Sequence, residues 1–555
     1  MQSMSSNKSD ILGKNLIFGA VAITLIMTPN LNKDSLVIPK VILLFCLALL
    51  LTPFIIKSLK NHMKNPYIQR LLIIESILFI FGILVLLNSA SPLDQLIYGR
   101  TGRGLGFVTF VSTLLLTVAS ALLINLHNQK TLLLGLVWAG LVTSIYSCLQ
   151  FFGIDIFKWE SATNGIIGTL GNPNSQSSFA ATVLIPALIV FWTSKYRTFI
   201  IPCILLLILF TIYISQSTQG YIGLISSTIA LALIFTWYRR KKLFLLLSIS
   251  TFIAGVVALF GMLGHGPLSI YLYKVSVQSR GDFWRSAFTT GNSHPLFGVG
   301  FDSFGDYSLK YRDELAASHS FAEYTDSAHN FYLDYLATGG YFFLLIYMLL
   351  LLFTLRAFFV LNRSHNSYNR YISAFFCAWL VIQLQTMINT QTITFLTWNA
   401  ILSGAIIGMA GTSLNDQSID QSNPHLSKQL KHTYIQGITL VVIGLIVVFP
   451  YFNNDRLFAK ASNTGNGDLL IKSTTAFPQS VTRYSLASRA LLDSGLPEPS
   501  LYLAKKAVEF NPKSVGLWAL ILVNQSATLE ERQNAKNRIL QLDPLNKEIK
   551  DLLVQ

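Results

Sequence analysis

Long apolar stretches alternate with short polar links along most of this chain of 555 residues. Each stretch holds roughly 17–25 mainly apolar residues, which as a helix is long enough to cross a ~30 Å hydrocarbon layer. The stretches predicted to be membrane-spanning helices are 15–30, 36–56, 71–88, 106–126, 131–152, 177–193, 198–214, 220–237, 243–264, 331–354, 371–389, 394–411 and 433–452. The pattern therefore predicts an all-α polytopic membrane protein with about 12–13 transmembrane helices.

The distribution of charge supports this interpretation and suggests an orientation. Charged residues make up 12% of the chain, about half of the ~25% in ordinary soluble domains. Basic residues such as Lys57, Arg197, Arg240 and Arg363 lie in links that thirteen spans place on one side of the membrane, which the positive-inside rule assigns to the cytoplasm. The large loop 265–330 and the C-terminus are then external. The net charge of +15 is explained by these links, so no nucleic-acid partner is expected.

Residues 453–555 form a second region, in which charged residues are frequent and apolar residues recur at helical spacing. Three similar helix ends carry Pro478, Pro512 and Pro544, at intervals of 34 and 32 residues. Tetratricopeptide repeats recur every ~34 residues and end with a proline. We therefore predict a membrane domain, residues 1–452, followed by a tetratricopeptide-like helical domain; a plain pair of helical hairpins is the alternative.

The long polar passage 280–340 holds the strongest candidate for catalysis. His329 lies directly before a predicted span, between Asp326 and Asn330. A histidine titrates near neutral pH and is the usual group to take a proton from a hydroxyl. If the segment is helical, Asp326 orients His329 from one turn away. The alternative is a histidine that caps a helix or lies at the membrane interface.

Two pairs of arginines are candidates for binding an anion. Arg280 and Arg285 flank an aromatic pair in the large loop, and both can approach a phosphate if that segment is helical. Arg100 and Arg103 lie among glycines in another outward link, where glycine lets the backbone approach a ligand closely. The alternative for this second pair is a snorkelling role at the membrane interface.

Two further outward links carry polar side chains. Asn172 and Asn174 flank a proline at the start of an apolar run, which predicts a turn. The alternative to binding is a helix N-cap at Asn174 or Ser175. Gln219 lies in a short polar hairpin, 215–220, between two predicted spans.

Several motifs of metal and nucleotide chemistry are missing from the sequence. It contains no phosphate-binding glycine loop and no HExxH, CxxC or DxD motif. The four cysteines all fall within apolar runs, without the spacing of metal ligands or disulfides. We therefore expect no metal and no cofactor.

Together these motifs resemble the O-antigen ligase and polymerase superfamily of bacterial membrane glycosyltransferases. The resembling residues are Arg280 with Trp284, His294–Pro295 with Gly298 and Gly300, His329–Asn330 with Gly339–Gly340, the passage 168–174 and the passage 99–106. The resemblance implies transfer of a glycan from undecaprenyl diphosphate to an acceptor hydroxyl at the outer face of the bacterial cytoplasmic membrane, without metal and with inversion. It implies that His329 is the base and that Arg280 binds the donor diphosphate.

One position departs from the family pattern. Members often carry Ser-Arg-Gly in the short hairpin, where this chain has Thr218, Gln219 and Gly220. Gln219 can hydrogen-bond a phosphate or a sugar but cannot neutralise a charge. Arg100, Arg103 or Arg285 are the candidates for a replacement cation.

The acceptor and the precise role remain open. A ligase transfers a finished glycan to a lipid, a polymerase joins repeat units, and a protein O-oligosaccharyltransferase modifies a protein. A transporter or flippase for lipid-linked glycans is the alternative from a different class. The C-terminal repeats could recruit a protein partner, since such repeats present concave surfaces.

Overall fold

The computed structural model describes residues 6–155, 157, 159, 166–319, 324–364, 369–413 and 426–552. The fold is 77% helical, and no strand occurs in these ranges. The helices are α1 (Ser6–Leu25), α2 (Ile38–His62), α3 (Pro66–Asn88), α4 (Leu93–Tyr98), α5 (Phe107–Leu123), α6 (Gln129–Phe151), α7 (Pro173–Phe191), α8 (Arg197–Ile214), α9 (Thr218–Arg239), α10 (Lys241–Met262), α11 (Ser269–Leu272), α12 (Val275–Ser293), α13 (Glu314–His319), α14 (Phe331–Ser364), α15 (Arg370–Thr386), α16 (Ile393–Ser413), α17 (Leu426–Thr464), α18 (Gly467–Thr475), α19 (Val481–Asp493), α20 (Pro497–Phe510), α21 (Val515–Leu522), α22 (Leu529–Leu542) and α23 (Lys547–Asp551).

Every predicted span coincides with a helix. Within the described ranges, ten helices are long and apolar enough to cross a membrane. The other three predicted spans coincide with α1, α5 and α15; the apolar parts of α1 and α5 and the whole of α15 are 17 residues or shorter. The prediction of an all-α polytopic membrane protein is confirmed.

The centre of the bundle is α16, whose membrane-crossing segment is completely buried. It packs closely on α5 because glycines replace larger residues at the contact. A Cβ atom at Gly404 would lie 2.2 Å from the carbonyl oxygen of Thr117, and one at Gly408 would lie 2.1 Å from that of Ala121. Such small residues let transmembrane helices approach each other's backbones. By contrast, no part of the apolar segment of α10 is buried, so this helix lies at the periphery.

The links that were predicted to lie on the same side of the membrane meet at one end of the bundle, here called the site end. The Asp34 carboxylate in the α1–α2 link accepts a hydrogen bond from the Gly102 backbone, at 2.7 Å. The Ser89 hydroxyl after α3 donates to the carbonyl of Val299 in the large loop, at 2.7 Å. Counting the predicted spans therefore placed these links correctly on one side of the bundle. The side of the membrane that the site end faces stays a prediction.

The C-terminal region begins within α17, which continues from the last predicted span through the predicted boundary at residue 452 to Thr464. A separate apolar core contains Phe458, Tyr484, Leu503 and Ile539 and joins the end of α17 to the helices from α18 to α22. The three prolines at positions 478, 512 and 544 follow the ends of α18, α20 and α22 by two or three residues. The helix ends therefore recur as the sequence indicated, and the tetratricopeptide-like assignment stays a prediction.

Candidate active site

The segment before α14 is a hydrogen-bonded loop anchored by Asp334. One carboxylate oxygen of Asp334 accepts from the Ala328 backbone, and the other accepts from the Ser327 hydroxyl, both at 2.8 Å. The Ser327 hydroxyl oxygen in turn accepts from the backbone N–H of His329 at 3.0 Å. The backbone of His329 has a positive φ of 51°, a conformation that side-chain-bearing residues rarely adopt and that often marks functional sites.

The expectation that Asp326 lies one helical turn from His329 is wrong, because α14 begins only at Phe331. Asp326 instead faces Arg103, whose Nη1 lies 3.4 Å from its Oδ1. Asn330 serves α14 directly, since its side-chain oxygen accepts from the backbone of Tyr332 at 3.1 Å. The side chains of Asp334 and Asn330 therefore hold the loop and the start of α14, without a helical segment before His329.

The His329 side chain has one committed and one available nitrogen. Its Nδ1 lies 3.3 Å from the Ser327 carbonyl oxygen, which requires a proton on Nδ1 when the ring is neutral. Nε2 then carries a lone pair, and it has no hydrogen-bond partner among the described residues. Burial lowers the pKa of His329, and the positive charge of Arg280 lowers it further. The arrangement provides a neutral imidazole that can accept a proton.

Arg280 and Arg285 both lie on α12 but differ in their partners. Arg280 donates to two backbone carbonyls, from Nε to Ile388 at 2.9 Å and from Nη1 to Ser276 at 2.8 Å. No carboxylate pairs with it in the part of the chain that the structure describes. Arg285 pairs with Asp282 at 2.7 Å and with Asp313 at 2.5 Å. Arg280 therefore keeps a positive charge without a counter-ion, next to His329.

Arg103 is buried among three carboxylates. Its Nε donates to Asp302 at 2.7 Å, and its Nη atoms lie 3.4 Å from Asp326 and 3.5 Å from Asp334. Burial opposes the charged form, but the three carboxylates outweigh this effect and raise the pKa of Arg103. Its charge is thus permanent and neutralised within the protein.

Arg100 is also buried and paired, through its side chain with Asp306 and through its backbone N–H with Asp302 at 2.7 Å. Asp306 additionally accepts from the amide of Asn511, at 3.1 Å, in the C-terminal region. Neither arginine of this link extends to a lipid surface as a snorkelling side chain would. Both join the 99–106 link to the large loop.

Asn172 and Asn174 accept hydrogen bonds within the protein, whereas the side-chain amide of Gln219 has an available donor. Asn172 caps α7 by accepting from the Asn174 backbone at 2.7 Å, so the cap lies at Asn172 and not at Asn174 or Ser175 as the alternative expected. The Asn174 side chain accepts from Ser217 at 2.7 Å. Gln219 is 3% exposed, and its Nε2 has no partner among the described residues.

The glycine-rich motifs 298–300 and 339–340 meet where α14 is interrupted. The helix α14 is interrupted at Gly340, where φ is 80°, and the segment 295–300 packs into the break. Tyr341 donates from its backbone to Pro295, and Gly300 donates to Thr338, both at 2.9 Å. A Cβ at Gly298 would lie 2.3 Å from the carbonyl carbon of Thr338, so only glycine fits there. These motifs therefore hold the segment 295–300 against α14.

A cavity of about 320 Å³ opens beside the loop and brings together three of the predicted site residues, Arg103, Asn172 and Asp326. Sequence reasoning missed three others that line it, Lys40, Asp34 and Gln391. Burial raises the pKa of Asp34 to about 6. A signal for Lys40 was present in the sequence, since it is the only charged residue within the predicted span 36–56.

The fold and these side chains define a polytopic membrane protein with an imidazole and an uncompensated guanidinium at one end of its helical bundle. Residues 203–348 match the family model described as O-antigen ligase. The chain therefore carries a domain of the O-antigen ligase superfamily of membrane glycosyltransferases, as the motifs predicted. The matched segment runs from within α8 to within α14 and includes Arg280 and His329. No curated protein matches the chain at a significant level.

Proposed function

We propose that this protein transfers a glycan from an undecaprenyl-diphosphate donor to an acceptor hydroxyl at the outer face of the bacterial cytoplasmic membrane. The observation that carries the proposal is the pairing of His329, whose Nε2 is available, with Arg280, whose charge lacks a carboxylate partner and acts on the imidazole. A base and an anion-binding cation are the two groups that such a transfer needs.

In the proposed reaction, Nε2 of His329 takes the proton from the acceptor hydroxyl as the oxygen attacks the anomeric carbon. A new carbon–oxygen bond forms on one face of the sugar while the bond to the diphosphate oxygen breaks on the other, so the anomeric configuration inverts. Undecaprenyl diphosphate leaves with the bonding electron pair, and Arg280 stabilises the charge that develops on it. The imidazolium then releases its proton to water.

The charge on the leaving group is expected to be offset without a metal. Arg100, Arg103 and Arg285 were the candidates for a second cation, but each is paired with carboxylates of the protein. Gln219 instead offers a buried amide without a partner. We propose that Gln219 donates a hydrogen bond to the diphosphate or to the adjoining sugar, and that Arg280 is the principal cation.

The C-terminal region is proposed to present the acceptor or a protein partner to this site. It docks on the same large loop through Arg312, which forms a bidentate contact with Asp543 at 2.8 and 3.0 Å. Both side chains are at most 7% exposed. A partner that binds the repeats would therefore lie close to the loop that carries the candidate base. This placement suits ligase, polymerase and protein-transferase roles equally.

Membranes from a strain that lacks the protein provide the test, because they hold both the donor and the acceptor. Purified protein added with a chelator is expected to release undecaprenyl diphosphate and to move glycan into the acceptor fraction. The size and carrier of the product then distinguish a ligase, a polymerase and a protein transferase. A flippase would move the donor across vesicles without releasing undecaprenyl diphosphate, and that result would reject the proposal.

A further inference from the structure

The cavity beside the loop lies between the start of α2, the 99–106 link, the start of α7 and the 387–392 link. We propose that it binds a neutral sugar ring of the substrate glycan. The inference rests on the proposed function, since it assigns to the cavity a part of that substrate. It adds a site for the carbohydrate to the groups proposed for the diphosphate and the proton.

The side chain of Gln391 lines the cavity and is 3% exposed. Its oxygen accepts a hydrogen bond from the Thr392 backbone at 3.3 Å. Its Nε2 has no partner among the described residues. Buried amide donors are almost always hydrogen-bonded, so an acceptor from a ligand would satisfy this group.

The two cations of the cavity already have partners within the protein. The Lys40 ammonium has three N–H donors, and it contacts the carbonyl of Thr24 at 3.0 Å, that of Thr169 at 2.6 Å and the hydroxyl of Thr394 at 3.5 Å. Arg103 is directed at its carboxylates. The charge of Arg103 is matched by three carboxylates, and all three donors of Lys40 have acceptors within the protein.

Carboxylates also line the cavity. Asp34 and Asp326 both face the cavity, and each would repel a phosphate or a carboxylate. A sugar hydroxyl can donate to such oxygens and accept from an amide, so a neutral ring matches both kinds of group. The cavity therefore favours a carbohydrate over the diphosphate.

Size and position agree with this assignment. A volume of about 320 Å³ is at the lower end of the range for small-molecule pockets, which suits a ring better than a long oligosaccharide. Asp326 lies three residues before His329, and the 387–392 link contains Ile388, whose carbonyl holds Arg280. A ring in the cavity would thus lie beside the groups that act on the glycosidic bond.

The kinetic test replaces Gln391 with leucine. Loss of one hydrogen bond to the ring is expected to raise a KM about threefold to tenfold, with kcat little changed, because the bond is made in the ground state as well. Varying donor and acceptor separately shows which of them supplies the ring. Gln391→Asn, which keeps the amide, is expected to recover part of the affinity. Unchanged KM values for both substrates would overturn the proposal.

Two controls separate binding from folding. Gln129→Leu removes another buried glutamine, at the start of α6 and outside the cavity lining, and is expected to leave both KM values unchanged. The thermal unfolding temperature of Gln391→Leu is expected to change little, because Nε2 has no partner among the described residues and Oε1 makes only the 3.3 Å hydrogen bond to the Thr392 backbone. A lowered unfolding temperature without a change in KM would indicate a structural role and reject the site.

A labelling experiment tests the site without relying on turnover. Gln391→Cys is combined with His329→Ala and with replacement of the four native cysteines, and its labelling by a small thiol reagent is measured in membranes. Slower labelling in membranes that contain the lipid-linked glycan than in membranes unable to make it supports the proposal, even if no transfer occurs. Protection by inorganic pyrophosphate would assign the cavity to an anion, and equal labelling in both membranes would also overturn the inference.

Discussion

The arginines at the site end of the bundle differ in what neutralises their charge. Arg100 and Arg103 are buried among aspartates of the large loop and α14. Arg280 touches only backbone carbonyls among the described residues. A carboxylate cancels the charge that it holds, whereas the two carbonyls leave Arg280 its charge and occupy only two of its five N–H donors. The difference indicates that Arg100 and Arg103 hold the site together and that Arg280 is available to a substrate.

The histidines of the large loop also differ in their surroundings. His319 lies 3.3 Å from the Asp282 carboxylate. His294 and His329 each contact a backbone carbonyl through Nδ1, at 3.2 Å and 3.3 Å. Burial and the nearby charge of Arg280 lower the pKa of His329. The candidate base and the candidate cation therefore lie near each other.

Replacing His329 with alanine tests this distinction with the largest expected effect. General base catalysis typically contributes ~10²–10⁴-fold, so transfer is expected to fall by about that factor in the membrane assay. His319→Ala, in the same loop, is the matched control and is expected to change transfer little. Both variants should reach the membrane at normal levels. Transfer that survives in His329→Ala, or is lost equally in His319→Ala, would contradict the role of His329.

Arg103→Met tests the structural half of the comparison. It leaves Asp302 and two further aspartates without their cation, and removing one partner of a buried ion pair costs about 3–5 kcal/mol. We expect a lower unfolding temperature and less protein in the membrane. Adding Asp302→Asn should recover part of the loss, because one uncompensated charge is removed. Normal stability of Arg103→Met would show that these carboxylates do not depend on the arginine.

Most of the fold could be predicted because apolar stretch length is a local property. The thirteen spans and the grouping of their links follow from hydropathy and from counting. The ion pairs could not be predicted, since Arg103 and Asp302 are 199 residues apart and either arginine of the link could have faced a ligand. Nothing in the sequence distinguishes a paired arginine from an unpaired one.

The cavity shows a second limit of sequence reasoning. Lys40 was visible as a single charge in an apolar span, but its partners are carbonyls of Thr24 and Thr169, which any residue would supply. Gln391 carries no charge and belongs to no motif. Its interest comes only from a buried Nε2 without a hydrogen-bond partner among the described residues, which depends on how the segments around the cavity pack together.

Arg280→Gln sharpens the comparison at the available cation. Hydrogen bonds to charged groups contribute ~1.5–3 kcal/mol, so transfer is expected to fall about 10–100-fold. The unfolding temperature should fall less than in Arg103→Met, because no carboxylate loses its partner. Arg285→Gln, on the same helix but with Asp313 as partner, is the matched control and should lose much less transfer. Equal losses in the two variants would remove the distinction between paired and unpaired arginines.

The pH dependence of transfer gives the smallest and most specific prediction. Burial and the charge of Arg280 both lower the pKa of His329 below its ordinary 6.5, so the neutral base should persist below that pH. The acid limb of kcat/KM, which reports the base in the free enzyme, is therefore expected below pH 6.5. In Arg280→Gln the imidazolium loses a repelling neighbour, its pKa rises, and the limb moves to higher pH. Arg280→Lys keeps the charge and should keep the limb in place. A limb that does not move in Arg280→Gln would show that the arginine does not act on the base that limits turnover, and the two groups would have to be assigned to separate sites.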